Sequence, residues 1–390
     1  GISSFGHDTS ACLIDVTTSK TIFASAQERF SNIKFDDTIP LYTITECLKH
    51  AKKFNFNIKK AAISCDYNFF LGDYLFNEIN KIIKNQNTSK EYFFFLKQYL
   101  SENENYINYF LSKRNKVDSY IRINLNFLAK EKKDNLRKLN SWYLNWAIKH
   151  KKIHNLIQKF LGNIELIPVG HHLAHAASTF FASPFKNAAI LTIDGVGEWE
   201  TTSMYYGEDN NLTKIGSVSF PHSLGMLYSA FTAFLGFKPN EGEYKVMGLA
   251  PYGDPKKFLN KFRKLYTLTD DGGFELNMEY FTYDWSDTHM FNEKLGKLLG
   301  IPNRLPEDNL NQPHKDLAAT LQHEYEFLFF RLVDRLFALR SSNNLCLSGG
   351  CAYNGTANGK ILKQTSYNNL WIPPAPSDAG SSIGCALHHY

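Results

Sequence analysis

The strongest breakers of regular structure are missing from one long run of this chain. No glycine lies between Gly72 and Gly162, and no proline between Pro40 and Pro168. Without a residue that frees φ or one that lacks its N–H, such a run has no local reason to leave a helix. Phe93, Leu96, Tyr99 and Leu100 fall on one helical face, as do Trp142, Trp146 and Ile153. Abundant asparagine weakens the helical preference slightly. The expectation is an α-helical block over about residues 70–160, set into a chain of different pattern.

Outside that block the pattern is mixed. Ile2–Phe5, Ala11–Val16 and Thr21–Gln27 read as three short strands joined by tight polar links, with Ala61–Cys65 as a further strand. Ile164–Val169 reads as a strand and His171–Ser178 as a small-residue helix. The cycle then restarts with strands Ala188–Asp194 and Thr201–Tyr206 about the turn Gly195-Val196-Gly197. Near the end come a long amphipathic helix, Asp316–Leu339, strands Leu345–Ser348 and Leu370–Ile372, and a small-residue helix, Asp378–Leu387. The stretch Lys256–Pro313 is loop-rich and shows no pattern. Two rounds of strands, hairpin and helices predict a duplicated α/β fold with a cleft between its halves. The first half would be residues 1–185, interrupted by the helical insertion, and the second 186–390.

Phe and Tyr number 31 and 21 in the 390 residues, enough for a sizeable core, which excludes a disordered chain. A net charge of +5 gives no reason to expect nucleic acid as a partner. The six cysteines (Cys12, Cys47, Cys65, Cys346, Cys351 and Cys385) form no CxxC pair and read as reduced thiols. No stretch nears the roughly 18 apolar residues of a membrane span. The first residues, Gly1–Ser4, show no signal-peptide pattern. A cytoplasmic protein without a membrane partner is the expectation.

Four motifs carry chemistry. In His171-His172-Leu173-Ala174-His175, a helix puts His171 and His175 on one face, spaced to take two positions on a divalent metal, with His172 pointing elsewhere. No glutamate stands where a zinc-protease motif needs one, so that reading is excluded. Asp194-Gly195-Val196-Gly197 puts a carboxylate at a strand end, beside a turn whose N–H groups can approach phosphate. Ser348-Gly349-Gly350 leads a buried strand into a helix start, with Asn354 and Asn358 as amides one turn apart, which suits a nucleotide or merely close helix–strand packing. Asp378 stands at a helix start, either as a cap or as the oxygen ligand completing a His-His-carboxylate site. Two further segments concentrate special residues: His7-Asp8-Thr9-Ser10 in the first hairpin turn, and Glu241–Gly253 with its mixture of charge, glycine and apolar residues.

Seven blocks in this order (HDTSACLI, AQERFSNIKFD, HHLAHAASTFFASPF, LTIDGVGEWETT, GEYKVMGLAPYG, LSGGCAYNGTANGKI and PAPSDAGSSIG) resemble the NodU/CmcH-type O-carbamoyltransferases. The resemblance covers residues 1–65 and 164–390. It implies a duplicated actin/hexokinase-like (ASKHA) fold, similar to the catalytic module of the tRNA threonylcarbamoyl transferases. It also implies transfer of a carbamoyl group from carbamoyladenylate, made from ATP and carbamoyl phosphate, to a hydroxyl of a small-molecule natural product or sugar. A divalent metal, Fe(II) by the resemblance, would be held by His171, His175, Asp194 and Asp378. Asp194, Gly195, Gly197, Glu243, Lys245, Gly349, Gly350 and Asn354 would line the nucleotide, and Lys34 would lie near the transferred group. His7 would activate the acceptor as a neutral imidazole, with Asp8 orienting it. The family continues into a YrdC-like domain that makes the carbamoyladenylate. This chain stops at Tyr390, so that domain is expected from a longer chain or in trans, with a homodimer left open. The alternatives are a tRNA threonylcarbamoyl transferase-like subunit and a non-catalytic ASKHA nucleotide-binding protein.

Overall fold

The computed structural model describes residues 1–4, 6–66, 149–284, 286 and 288–389. Most of the glycine- and proline-free block, including Phe93, Leu96, Tyr99, Leu100, Trp142 and Trp146, lies outside them. Gly1–Cys65, Lys152–Asp284 and Thr288–Tyr390 form one compact unit.

Strands β1 (Ile2–Ser3), β2 (Ser10–Asp15), β3 (Lys20–Ala26), β4 (Lys60–Ser64) and β5 (Glu165–Val169) make a five-stranded sheet in the order β3-β2-β1-β4-β5. The β1–β2 and β2–β3 pairs are antiparallel, and β1–β4 and β4–β5 are parallel. A second antiparallel meander follows, β6 (Asn187–Ile193), β7 (Glu200–Glu208) and β8 (Asn211–Ser219). A small ribbon, β9 (Tyr266–Leu268) with β10 (Phe274–Leu276), precedes β11 (Asn344–Ser348) and β12 (Asn369–Trp371). The second sheet runs β8-β7-β6-β11-β12, with β6–β11 and β11–β12 parallel. Order and strand sense therefore match between the two sheets, strand for strand. The loop after the first strand has the same length in both: residues 4–9 in one sheet and 194–199 in the other.

Helix α1 (Leu41–Lys53) buries Thr43, Ile44, Cys47 and Ala51, one face of a 3.6-residue period, against β2 and β3. Residues 149–161 are helical, and their Ile157 and Leu161 join Ile2, Ala11, Ile44, Ile63 and Leu166 in one core. The part of the expected insertion beyond about residue 152 is therefore core of the first half rather than an addition to it. The physical reason is that Ile153, Ile157 and Leu161 share the face that meets this sheet.

The helices that follow the two sheets cross over. Helix α2 (His171–Phe180) continues from β5 of the first sheet and packs on β6, β7 and β11 of the second. In the second half come α3 (Leu224–Phe234), α4 (Glu243–Leu249), α5 (Glu293–Leu299), α6 (Gln312–Leu339) and α7 (Asp378–His388). Helix α7 follows the second sheet, packs on β1, β2 and β4 of the first, and lies against α2. The small residues of α2 and α7 make this crossing possible. A Cβ on Gly384 would sit 1.8 Å from the carbonyl oxygen of Ala174.

Helix α6 starts one turn before the expected Asp316, because Asn311 and His314 form a reciprocal capping box. Strand β8 and helix α3 were not anticipated. Helix α3 is buried nearly all round, so it shows no polar face to reveal its period. The expected patternless stretch holds β9, β10 and α5. All six cysteines are free thiols. Among the described residues no helix is long and apolar enough to cross a membrane.

Candidate metal centre

Four side chains from three elements converge at the crossing of α2 and α7. His171 and His175 stand in the first turns of α2, Asp378 is the first residue of α7, and Asp194 follows the last residue of β6. All are buried or nearly so. The two Nε2 atoms are 3.1 Å apart. Asp194 Oδ2 lies 3.2 Å from His171 and 2.9 Å from His175, and Asp378 Oδ1 lies 3.5 and 3.3 Å from the same pair. All four donor atoms fall within 4.8 Å of one another. Ligands about 2.1 Å from a common centre are about 3.0 Å apart at octahedral cis positions and about 3.4 Å apart in a tetrahedron. The observed spacings fit a single divalent ion, and two imidazoles with two carboxylates suit a first-row metal.

The electrostatics point the same way. Burial would lower the His175 imidazole, but its hydrogen bonds to Asp194 and Asp378 outweigh that and push it up to about 9. Burial would raise Asp194, yet His171 and His175 hold it well below the usual carboxylate range. Two buried carboxylates this close call for positive charge between them.

The surroundings orient these ligands. His175 Nδ1 lies 3.5 Å from the hydroxyl of Ser348, which donates to the carbonyl of Pro376 at 2.9 Å. The ring thus offers Nε2 to the centre. Glu198 accepts the His171 backbone N–H with both carboxylate oxygens, at 2.8 and 3.0 Å, and fixes the start of α2. This residue was not singled out from sequence. Its signal was its place as the fifth residue of a loop that returns to a helix whose preceding residue, Gly170, has no side chain to cap with. His172 points away, as expected, bridging Thr192 and the carbonyl of Glu200. Burial and the neighbouring imidazoles push it down to about 3, so it is a neutral structural residue.

The glycines assigned to the nucleotide serve first to bring backbone and ligands together. A Cβ on Gly197 would lie 2.7 Å from the His172 ring and 3.2 Å from the His171 ring. One on Gly350 would lie 3.0 Å from Asp194 Oδ1, and Gly195 donates its N–H to that same oxygen. Gly349, at φ +93°, brings the end of β11 against the backbone of Ile193.

Asn354, expected to line the nucleotide, makes its described hydrogen bonds within the fold. Its Oδ1 accepts the N–H of Ala357 and the Gln322 amide, and its amide donates back to Gln322. Its side chain is committed to a cap and a buried pair. Asn358 likewise donates to the carbonyl of Ala352. Glu243 opens α4 and accepts from Ser229 and from the N–H groups of Asn240 and Gly242. Lys245 is exposed, near the rings of Tyr244 and Phe237.

His7 and Asp8 share the loop after β1, with His7 Nδ1 2.9 Å from Asp8 Oδ2. A neutral His7 was expected. Burial does favour that form, but the Asp8 hydrogen bond and the charges of Asp378, Asp8 and Asp194 prevail and push the imidazole up to about 9. The ring is cationic at neutral pH with the carboxylates uncompensated. Lys34 lies in the adjoining loop, beside the ring of Phe35.

The sequence profile of the family described as "Carbamoyltransferase N-terminus" matches residues 1–387. The uncharacterized protein sll1178 of Synechocystis sp. is 50% identical over 223 residues, covering 56% of this chain and 36% of its own length. Nodulation protein NolNO of Sinorhizobium fredii is 35% identical over 221 residues, covering 56% and 30%. The uncharacterized protein MJ1058 of Methanocaldococcus jannaschii is 26% identical over 404 residues, covering 99% of this chain and 62% of its own. The matched part is thus about a third of the length of the first two relatives. A solved structure of full-length HypF, in a phosphate- and nucleotide-bound form, superposes at a TM-score of 0.38 with 12% identity over 63% of this chain and 49% of that one. With a match running from the first residue to within α7, the chain belongs to the carbamoyltransferase N-terminus family.

Proposed function

We propose that this chain is the transfer module of an O-carbamoyltransferase, built as a duplicated actin/hexokinase-like fold. It would pass the carbamoyl group of carbamoyladenylate to a hydroxyl of a small molecule or sugar. The observation that carries this reading is the His171–His175–Asp194–Asp378 cluster, assembled from both halves in a chain of this family. The matched topology of the two sheets supports the duplication. The relatives' greater length supports a separate carbamoyladenylate-forming domain of YrdC type, in the same polypeptide or in trans.

His171, His175, Asp194 and Asp378 would hold the divalent metal, which when bound supplies positive charge for the phosphoryl and carbamoyl oxygens of the donor. Gly195, Gly197, Gly349 and Gly350, which stand about the cluster, would line the nucleotide. The acceptor hydroxyl attacks the carbamoyl carbon, the bond from that carbon to the phosphate oxygen breaks, and AMP leaves with the electron pair. His7, steered by Asp8, handles the hydroxyl proton. It can take that proton only in its neutral form, once its own proton has moved on. Lys34 adds a fixed positive charge on the same side.

The test incubates the full-length protein, loaded in turn with Fe(II), Zn(II) and Mn(II), with ATP, carbamoyl phosphate and a panel of polyols, sugars and tRNA. Acceptor-dependent AMP release with a carbamate ester as product is expected. Modification of tRNA alone would replace this reading with the tRNA threonylcarbamoyl-type one, and nucleotide binding without turnover would replace it with a non-catalytic role.

A further inference from the structure

Phe35 lies in the loop between β3 and α1 with a left-handed backbone, φ +56°. A bulky residue rarely adopts this conformation, and such outliers persist where the surroundings impose them. Here the surroundings are visible. The Phe35 N–H is held by Glu28 at 3.2 Å. The next residue, Asp36, accepts the Thr9 N–H at 3.1 Å, and Thr38 accepts the Thr9 hydroxyl at 2.8 Å. The loop bearing Lys34 and Phe35 is thereby tied to the loop bearing His7 and Asp8.

Both candidate side chains meet the Phe35 ring. His7 sits against it edge-on, with centroids 6.2 Å apart at 89°. The Lys34 ammonium lies 4.8 Å from its centroid, and 5.5 Å from that of Tyr244 in the first turn of α4. An ammonium within about 6 Å of a ring face is drawn to it. Lys34 thus meets one ring on either side of the long insertion, the Tyr244 ring being shared with Lys245 at 5.8 Å. A flexible lysine stem gains a defined position from such a sandwich.

We propose that Phe35 is a positioning residue, which with Tyr244 fixes the Lys34 ammonium at the ring that His7 also meets, and that its strained backbone is retained for this purpose. The proposal rests on the carbamoyl-transfer reading for its kinetic consequence, but not for the sandwich itself.

Phe35→Gly removes the ring and relieves the left-handed strain together. In the full-length protein its Tm is expected to equal or exceed that of the parent, while kcat for acceptor-dependent AMP release falls about tenfold or more. A ring serving only packing would give a lower Tm instead. Phe35→Tyr restores the ring and should recover kcat to within about threefold. A second measurement needs no activity. Lysines are reductively methylated with ¹³C, the Lys34 signal is assigned through Lys34→Arg, and its ring-current shift is followed. Phe35→Gly and Tyr244→Leu should each move that signal toward the position of an exposed methylated lysine, and Tyr244→Phe should leave it. The proposal is overturned if Phe35→Gly leaves the Lys34 signal in place, or moves it while kcat stays within about twofold. Absence of AMP release from the parent protein with every acceptor would instead sink the transfer reading, with the sandwich still decided by the methyl signal.

Discussion

The two sheets share a strand order and sense, yet the loops that follow their first strands carry different groups: an imidazole paired with a carboxylate in one, two carboxylates in the other. In the first half, residues 4–9 present His7, cationic at neutral pH, and its partner Asp8. In the second, residues 194–199 open with Asp194, a carboxylate held ionised by two imidazoles. One backbone path thus offers an imidazole on one side and a buried carboxylate on the other. The crossing helices complete the division. Helix α2 brings the first half's histidines onto the second sheet, and α7 brings the second half's Asp378 onto the first. The cluster is assembled only where the two helices cross between the sheets.

The largest effect should come from breaking that shared cluster. His171→Ala combined with His175→Ala, or Asp378→Asn alone, should reduce bound metal to background by elemental analysis. Acceptor-dependent AMP release should fall by about 10³-fold or more. If only the histidine pair mattered, Asp378→Asn would retain its metal, and the idea that the halves are joined through it would fail.

Next in size is the crossing itself. Gly384→Val would drive a side chain into the carbonyl of Ala174, which a Cβ would already meet at 1.8 Å. Overpacking of this kind costs about 1–3 kcal/mol. Because the clash is with backbone, the upper end is expected, with a Tm several degrees lower. Gly355→Ala is the matched control, since a Cβ there meets nothing.

A smaller effect separates fold from ligand at Asn354. Asn354→Ala removes a helix cap and leaves the Gln322 amide without its partner, which should cost about 1–3 kcal/mol in urea unfolding. If the committed side chain plays no part in nucleotide binding, the affinity for an ATP analogue should change by less than about twofold. A tenfold loss of affinity with unchanged stability would restore the sequence-based assignment.

These cases mark what the sequence made legible. His171, His175 and Asp378 were readable because helical spacing and a helix start constrain where such side chains point. The repeated strand pattern reappears as two five-stranded sheets of matching order. Asn354 could not be read further because an amide near a double glycine has the same local signature whether it caps a turn or meets a ligand; its pairing with Gln322, 32 residues earlier, leaves no local trace. Glu198 was missed for a similar reason, since its task is defined by a helix 27 residues away. Helix α3, buried on nearly every side, had no amphipathic signal to read.

The subtlest prediction concerns the charge of the His7 loop. In the metal-free protein the His7 imidazole should titrate near 9 by NMR, well above an ordinary histidine. Asp8→Asn removes the strongest raising contribution and should bring the midpoint down. A divalent ion between Asp194 and Asp378 offsets two of the charges that hold the proton on, so metal titration should lower the midpoint as well, toward the range where a base works at pH 7. The sign for stability follows. The folded pKa is raised, so the His7–Asp8 pairing contributes fully below the unfolded value near 6.5, and that contribution is lost as pH climbs through about 9. His7→Gln should therefore lower Tm below about pH 6.5 and converge on the parent as pH climbs past about 9, which flattens the alkaline fall. A midpoint that ignored both Asp8→Asn and the metal would mean that the two loops, though alike in backbone, do not sense each other's charge.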